Sequence, residues 1–588
     1  MRLVLVLLLA PVVLGAQVGP QRFSGPSSQA LYQLFNDYWE WRLAEEPELA
    51  TQVGRAEHNG RWTDWSRAAR ERRRAAREEY LQRTMFLSPG TLTPADQLSA
   101  LMLEYELHRR LEAQPALDLV QRVSQADGLQ NQVFSVIDQM PAGSVRDYEN
   151  IIARLEALPV YVEQHIALMQ EQLAAAQAQP AVVVDLMLEQ VRAQSQPVAS
   201  ASPLLAAFRR FPPALPAAEQ TRLRRRAYQA YDRQFVPSWR RLEAFLRDTY
   251  RPKARPAIGV QSLPDGASSY DALRRYYTTT RQGADEVHEL GLREVARIEG
   301  EMAKAAREAG FPGTPAEYER QLASQPGMRF SSQAEMLTYA RDVLARVQPV
   351  LSQLFVRVPR TAIGVRPIPA DRDAATASNY TAGTADGSRQ AWFNMNTYQP
   401  AEQVKYRTEA LVLHESVPGH HLQVGLAREM AGVPDFRRVF TAPAFTEGWA
   451  LYAESLGPAL GVVYRDPATR FGQLASEQFR AVRLVVDTGI HAKGWSREQA
   501  REYFGRHVPS QSIAEVDRYI ARPGQALAYK LGELRIMALR ARAERALGSR
   551  FDIRQFHDVV LRNGTLPLEM LEEQVDAWLT ESAAARTN

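Results

Sequence analysis

The stretch Leu411–Gln423, LVLHESVPGHHLQ, decides how this chain is read. His414 and Glu415 open it in the manner of a metal-binding helix, whose H-E-x-x-H pattern puts two histidines one turn apart on one face. Here the fourth position after His414 is Pro418, which offers no ligand atom, and His420 and His421 arrive two and three residues late. On a regular helix His420 points away from His414, while His421 faces the same side but stands about 10 Å further along the axis. Pro418 forbids a regular helix: it lacks the N–H that bonds to the carbonyl of His414, and its ring presses on that carbonyl. Gly419 adds backbone freedom. The pair predicts a bulge in which the extra residues loop out and His420 takes the place of the second histidine, with His421 as the alternative. Glu415 then serves as general base on metal-bound water.

Zinc takes nitrogen and carboxylate ligands and, in catalytic sites, leaves one position to water. A third ligand is expected from a neighbouring helix. Thr441–Gly457, TAPAFTEGWALYAESLG, supplies one: Phe445, Trp449, Tyr452 and Leu456 trace a single face, and Glu447 lies near the start. Glu454, two turns later, is the competing carboxylate, or else an acceptor behind a ligand.

The 588-residue chain exceeds one ordinary hydrophobic core, so several subdomains or one large helical body are expected, with room for a deep cleft. Its formal charge of +4 is small for this length and gives no reason to expect a nucleic-acid partner. The basic run RAARERRRAAREE, 67–79, mixes acid with base and spaces alanines helically, which reads as a solvated helix face. The first 16 residues, MRLVLVLLLAPVVLGA, describe a cleavable leader with Gly15 and Ala16 at its end, so an exported protein, periplasmic or secreted, without stable membrane insertion. An uncleaved anchor is the alternative reading. With no cysteine in the chain, a lipid-bearing cysteine, disulfides and thiolate chemistry are excluded. No G-x-S-x-G elbow accompanies a histidine and acid, which argues against serine catalysis.

Apolar residues recur at three- and four-residue spacing through 17–250, the N-terminal helical region. A proline- and glycine-rich junction, 251–269, precedes the region 270–588 that carries the metal motif. There Ala284–Gly310 reads as a long amphipathic helix stopped by Gly310 and Pro312. Strand-like sequence is confined to about 361–398, where Asp386-Gly387 and the alternation of Trp392, Asn394 and Asn396 suggest a hairpin just before the metal helix. Its edge, Tyr380–Asn396, could receive an extended peptide.

The segments HESVPGHHLQ, EGWALYAE, RLVVDTGIHAKGWSREQA and RYIARPGQALAYKLGELRI resemble successive signatures of the bacterial domain-of-unknown-function 885 family, and YDALRRYYTTT with DEVHELGLREVARIEGEM fits it upstream. The resemblance covers most of the chain, most specifically 260–570. It implies a mostly helical, often exported zinc metallopeptidase, in an arrangement similar to the helical gluzincins: oligopeptidases, angiotensin-converting enzyme and dipeptidyl peptidase III. This sequence departs from their H-E-x-x-H spacing. The fold expected is therefore mainly α, a large multi-helical zincin-like body with an active-site cleft and a small β-hairpin or sheet before the metal helix.

Downstream groups furnish the rest of a pocket. Arg483, Asp487 and His491 share a helix face, where Asp487 could orient a metal-bound histidine and His491 touch substrate; a buried structural salt bridge with Arg483 is the alternative. Tyr519, Gln525, Tyr529 and Lys530 surround a Pro-Gly break; phenolic and ammonium groups suit an oxyanion or a substrate carboxylate. Arg518, Arg522 and Lys530 are the cations that could anchor a C-terminal carboxylate. The expected shell is thus His414, His420 and Glu447 around Zn2+, with Glu415, Tyr519 and Tyr529 catalytic and His491, Arg518, Arg522, Gln525 and Lys530 on an oligopeptide substrate. A non-catalytic helical binding protein with a structural metal, and a metal-dependent amidase or esterase, are the rival readings.

Overall fold

The computed structural model describes residues 26–86, 92–369, 377–384, 387 and 389–584. The expected leader, 1–16, and Asp386 of the expected turn lie outside the described residues. The chain is mainly α, a large multi-helical body with one three-stranded sheet among the described residues. None of the described helices is long and apolar enough to cross a membrane.

Helical periodicity explains the packing. In Ala284–Glu308, Val287, Val295, Ile298 and Met302 are buried at turn spacing, and the helix ends as expected at Gly310, whose φ is +80°. It lies along Pro467–His491, a helix buried on almost every side, whose start is capped by the Asp466 carboxylate accepting from Thr469 N at 2.9 Å. One core runs from Phe35 and Trp39 through Val365 and Phe393 to Leu413, Trp449 and Leu571, so the N-terminal helix, the sheet and the metal motif share it. A second core, between Val123 and Tyr250, is formed entirely within the N-terminal region.

The strands are β1, Ile363–Pro367, β2, Asn379–Thr381, and β3, Ala391–Met395, in the order β1-β3-β2. β2 and β3 are antiparallel, as a hairpin requires, with Tyr380 opposite Phe393. β1 adds to β3 in parallel, a pairing that local turn residues do not encode.

The helix Arg67–Met85 departs from the reading of a solvated face. Arg73 and Arg77, one turn apart, are both buried while Arg72 and Arg74 beside them stay in water. Arginine at that spacing faces inward here because carboxylates from other helices meet it, Glu45 at 3.4 Å and Glu46 at 3.5 Å.

Candidate metal centre

The helix Thr408–Glu415 stops at Glu415 and a new helix, His420–Arg428, starts at His420. Between them Ser416 (φ −114°, ψ −118°) and Gly419 (φ −79°, ψ −127°) leave helical space. The loop is closed by backbone bonds, Gly419 N to Leu413 O at 2.9 Å and His421 N to Ser416 O at 3.0 Å. Only glycine fits the inner corner: a Cβ on residue 419 would stand 2.1 Å from the carbonyl oxygen of His414. The indole of Trp449 donates to the Pro418 carbonyl at 2.8 Å, which ties this corner to the helix Pro443–Ser455 that carries Glu447.

The result is a convergence. The rings of His414 and His420 meet edge to face with centroids 4.7 Å apart. Glu447 Oε2 stands 3.5 Å from His414 Nε2 and 3.4 Å from His420 Nε2. Ligand atoms of the three residues all lie within 4.8 Å of one another. Behind them, His414 Nδ1 is 2.8 Å from the fully buried Glu454, so the proton sits on Nδ1 and the Nε2 lone pair faces the cluster. Arg480 stands 3.5 Å from the same carboxylate. His421 is turned away, its Nε2 2.9 Å from the Thr361 carbonyl and its Nδ1 3.2 Å from the Tyr380 hydroxyl.

Two imidazole nitrogens and a carboxylate oxygen are a donor set that zinc accepts, and separations near 3.4 Å are those of neighbouring ligands in a tetrahedron with bonds of ~2.1 Å. His414, His420 and Glu447 could therefore hold such an ion. His420 Nδ1 is buried without a protein partner, a departure from the usual outer support. Burial, opposed by His420, pushes the adjacent Glu415 up to about 7.

These groups open on a cleft of about 1350 Å³ whose walls include Asn379, Tyr380, Arg480, Arg483, Arg518 and Tyr529. Tyr529 reaches it because Gly448 and Gly532 let two helices touch: a Cβ on Gly532 would lie 1.8 Å from the Ala444 carbonyl oxygen. Its ring lies nearly parallel to that of His414, centroids 6.4 Å apart. Arg518 is in the wall, paired with Glu515 at 2.9 Å and donating to Gln525 Oε1 at 2.7 Å; Gln525 in turn points at the Tyr529 hydroxyl from 3.5 Å. Arg522 also lines the cleft but is held by Asp127.

Four expected groups stand elsewhere. Tyr519 is buried behind the wall, its hydroxyl accepting from Arg483 Nε at 3.1 Å. His491 is buried, donating from Nε2 to the Tyr519 carbonyl at 3.0 Å and accepting from Val260 N at 3.2 Å, so no ring nitrogen is left for substrate. Lys530 is sunk among Glu533 at 2.6 Å, Glu477 at 2.7 Å and Glu294 at 3.3 Å, acids drawn from its own helix and two others. Asp487 accepts from the Tyr270 hydroxyl at 2.6 Å and Gly524 N at 3.0 Å, fixing the Pro-Gly break and no metal ligand. Arg480 escaped the sequence reading; it is one of three arginines in a helix that also carries Glu477 and Asp487, so its type and spacing did not single it out.

With this geometry in view, the class is a helical protein whose cleft holds a two-histidine, one-carboxylate cluster. The chain belongs to the bacterial family of unknown function DUF885, which matches residues 47–575. Among solved structures it is similar to a candidate lipoprotein from Colwellia psychrerythraea, with TM-score 0.90 and 26% identity over 94% of this chain and 99% of that one. It is also similar to a candidate lipoprotein of unknown function from Shewanella oneidensis, with TM-score 0.70 and 17% identity over 94% and 99% of the two chains, a likeness of fold alone. No curated protein sequence is significantly similar to it.

Proposed function

We propose that the protein is a zinc-dependent peptidase acting on oligopeptides. The observation that carries this is the meeting of His414, His420 and Glu447 beside Glu415 in the wall of a cleft large enough for a peptide. A zinc ion bound there supplies Lewis acidity toward water and the scissile carbonyl. Glu415 takes the proton of the attacking water and delivers it to the leaving amine. The Tyr529 hydroxyl, in the wall beside His414, donates to the developing oxyanion. A metal held only for structure has no use for a base beside its ligand.

The edge of β2, paired on one side only among the described residues, borders the cleft through Asn379 and Tyr380 and favours an extended peptide over a small amide or ester. A carboxypeptidase or dipeptidyl carboxypeptidase mode rests on Arg483 and Arg518, two guanidinium groups that share the single carboxylate of Glu515. Arg522 and Lys530 are already neutralised. Export through the leader agrees with the lipoprotein description of the two structural relatives, although a chain without cysteine has no thiol to carry a lipid.

The test is hydrolysis of a peptide library by the wild type and Glu415→Gln at equal zinc content. Loss of turnover with metal retained is expected; unchanged hydrolysis in the variant removes Glu415 from the mechanism.

A further inference from the structure

A second cavity, of about 1050 Å³, lies against the inward face of the helix Arg67–Met85, walled mostly by the N-terminal region and also by Tyr276, Arg428, Val439 and Thr441. It adjoins the metal cleft at one ion pair: Asp127 lines this cavity and its partner Arg522 lines the other. Its walls carry eight arginines against six carboxylates, and the surplus gathers in one cluster at the wall. Arg42, Arg77 and Arg110 all converge on Glu46, at 3.2, 3.5 and 3.5 Å. Arg42 and Arg110 also reach Glu106, which Arg109 occupies from behind at 2.8 Å. Four guanidinium groups thus share two carboxylates. Against burial, Arg110, Arg42 and Arg77 hold Glu46 down to about 2, so both acids are already fully charged and the surplus stays positive.

A second observation points the same way. Arg73, in the cavity wall and 4% exposed, gives Nη1 to the Asp64 carbonyl at 2.7 Å and to Glu45 at 3.4 Å, and leaves its buried Nη2 without a hydrogen-bond partner. Uncompensated buried charge and an unmade guanidinium bond are both costly, and clustered anionic oxygens relieve both. Guanidinium forks match such oxygens two at a time.

We propose that this cavity is a second binding site, for a small molecule carrying two or more negative charges on clustered oxygens, as a phosphate ester or a polycarboxylate does. Its size accommodates a metabolite and exceeds a bare inorganic ion.

Isothermal titration of the full-length, zinc-loaded protein at low salt tests it, with fructose 1,6-bisphosphate in one arm and tricarballylate in the other. Binding in at least one arm is expected, weakened by added salt, and the arm that binds tells which oxygen chemistry the site prefers. Arg77→Gln and Arg110→Gln should each weaken it tenfold or more. Arg72→Gln, the same charge change on the exposed face of the same helix, should leave it unaltered. Arg77→Lys, which keeps the charge and loses the fork, should also weaken it, and serves if Arg77→Gln fails to fold by circular dichroism. No binding in either arm, or full affinity in a folded Arg77 variant, overturns the proposal; the latter would mean that the ligand sits on the zinc. Neither result bears on peptide hydrolysis.

Discussion

Trp449 donates its indole N–H to the carbonyl of Pro418 at 2.8 Å, so the helix that carries Glu447 also holds the broken turn that carries His420 toward it. One hydrogen bond links the positions of two of the three converging side chains. Trp449→Phe keeps most of the packing but leaves that buried carbonyl unpaired, which costs about 1–3 kcal/mol. Denaturant unfolding should show the loss, and zinc competition should show weakened affinity. Wild-type affinity in a destabilised variant would uncouple the bond from the site.

Gly419 is confined by the His414 and Leu413 carbonyl oxygens, 2.1 and 2.3 Å from where a Cβ would stand. Gly419→Ala must push the loop outward and carry His420 from Glu447. Zinc affinity should fall more than tenfold, with helix content by circular dichroism little changed. Retained affinity would show that the loop shifts without moving the imidazole.

What is legible in the sequence here is local. Pro418 and Gly419 have backbone consequences that can be argued from their own chemistry, and the long helix ending at Gly310 follows the same logic. What is not legible depends on which helices meet. Lys530 reads as a free cation at a helix mouth, but Glu294 and Glu477 arrive from elsewhere in the chain. Arg73 and Arg77 read as solvated for the same reason. His491 reads as a substrate contact; whether a ring nitrogen is free depends on the remote Val260 N–H and Tyr519 carbonyl. The parallel addition of β1 to β3 has no local signature at all.

Glu454 accepts from His414 Nδ1 and sets which ring nitrogen faces the cluster. Glu454→Ala should reduce zinc affinity about 10- to 100-fold, whereas Glu454→Gln keeps an acceptor oxygen and should lose less. Equal affinities across the wild type and both variants would strip Glu454 of its orienting role.

Gly532 gives the Tyr529 helix its close approach to the Glu447 helix. Gly532→Val overpacks that contact, at a cost of about 1–3 kcal/mol or more, and moves Tyr529 off His414. The thermal midpoint should fall and kcat should fall further than KM rises. A stable variant with full turnover would show that the helices part without consequence for the cleft.

The central claim is the ligand set, and zinc content per chain measures it most directly, by elemental analysis of wild type, His414→Ala, His420→Ala, Glu447→Ala and His421→Ala after dialysis against a weak chelator. The account predicts about one zinc per chain in the wild type and in His421→Ala, and near none in the other three. Full zinc in His414→Ala, His420→Ala and Glu447→Ala, or its loss only in His421→Ala, would contradict it.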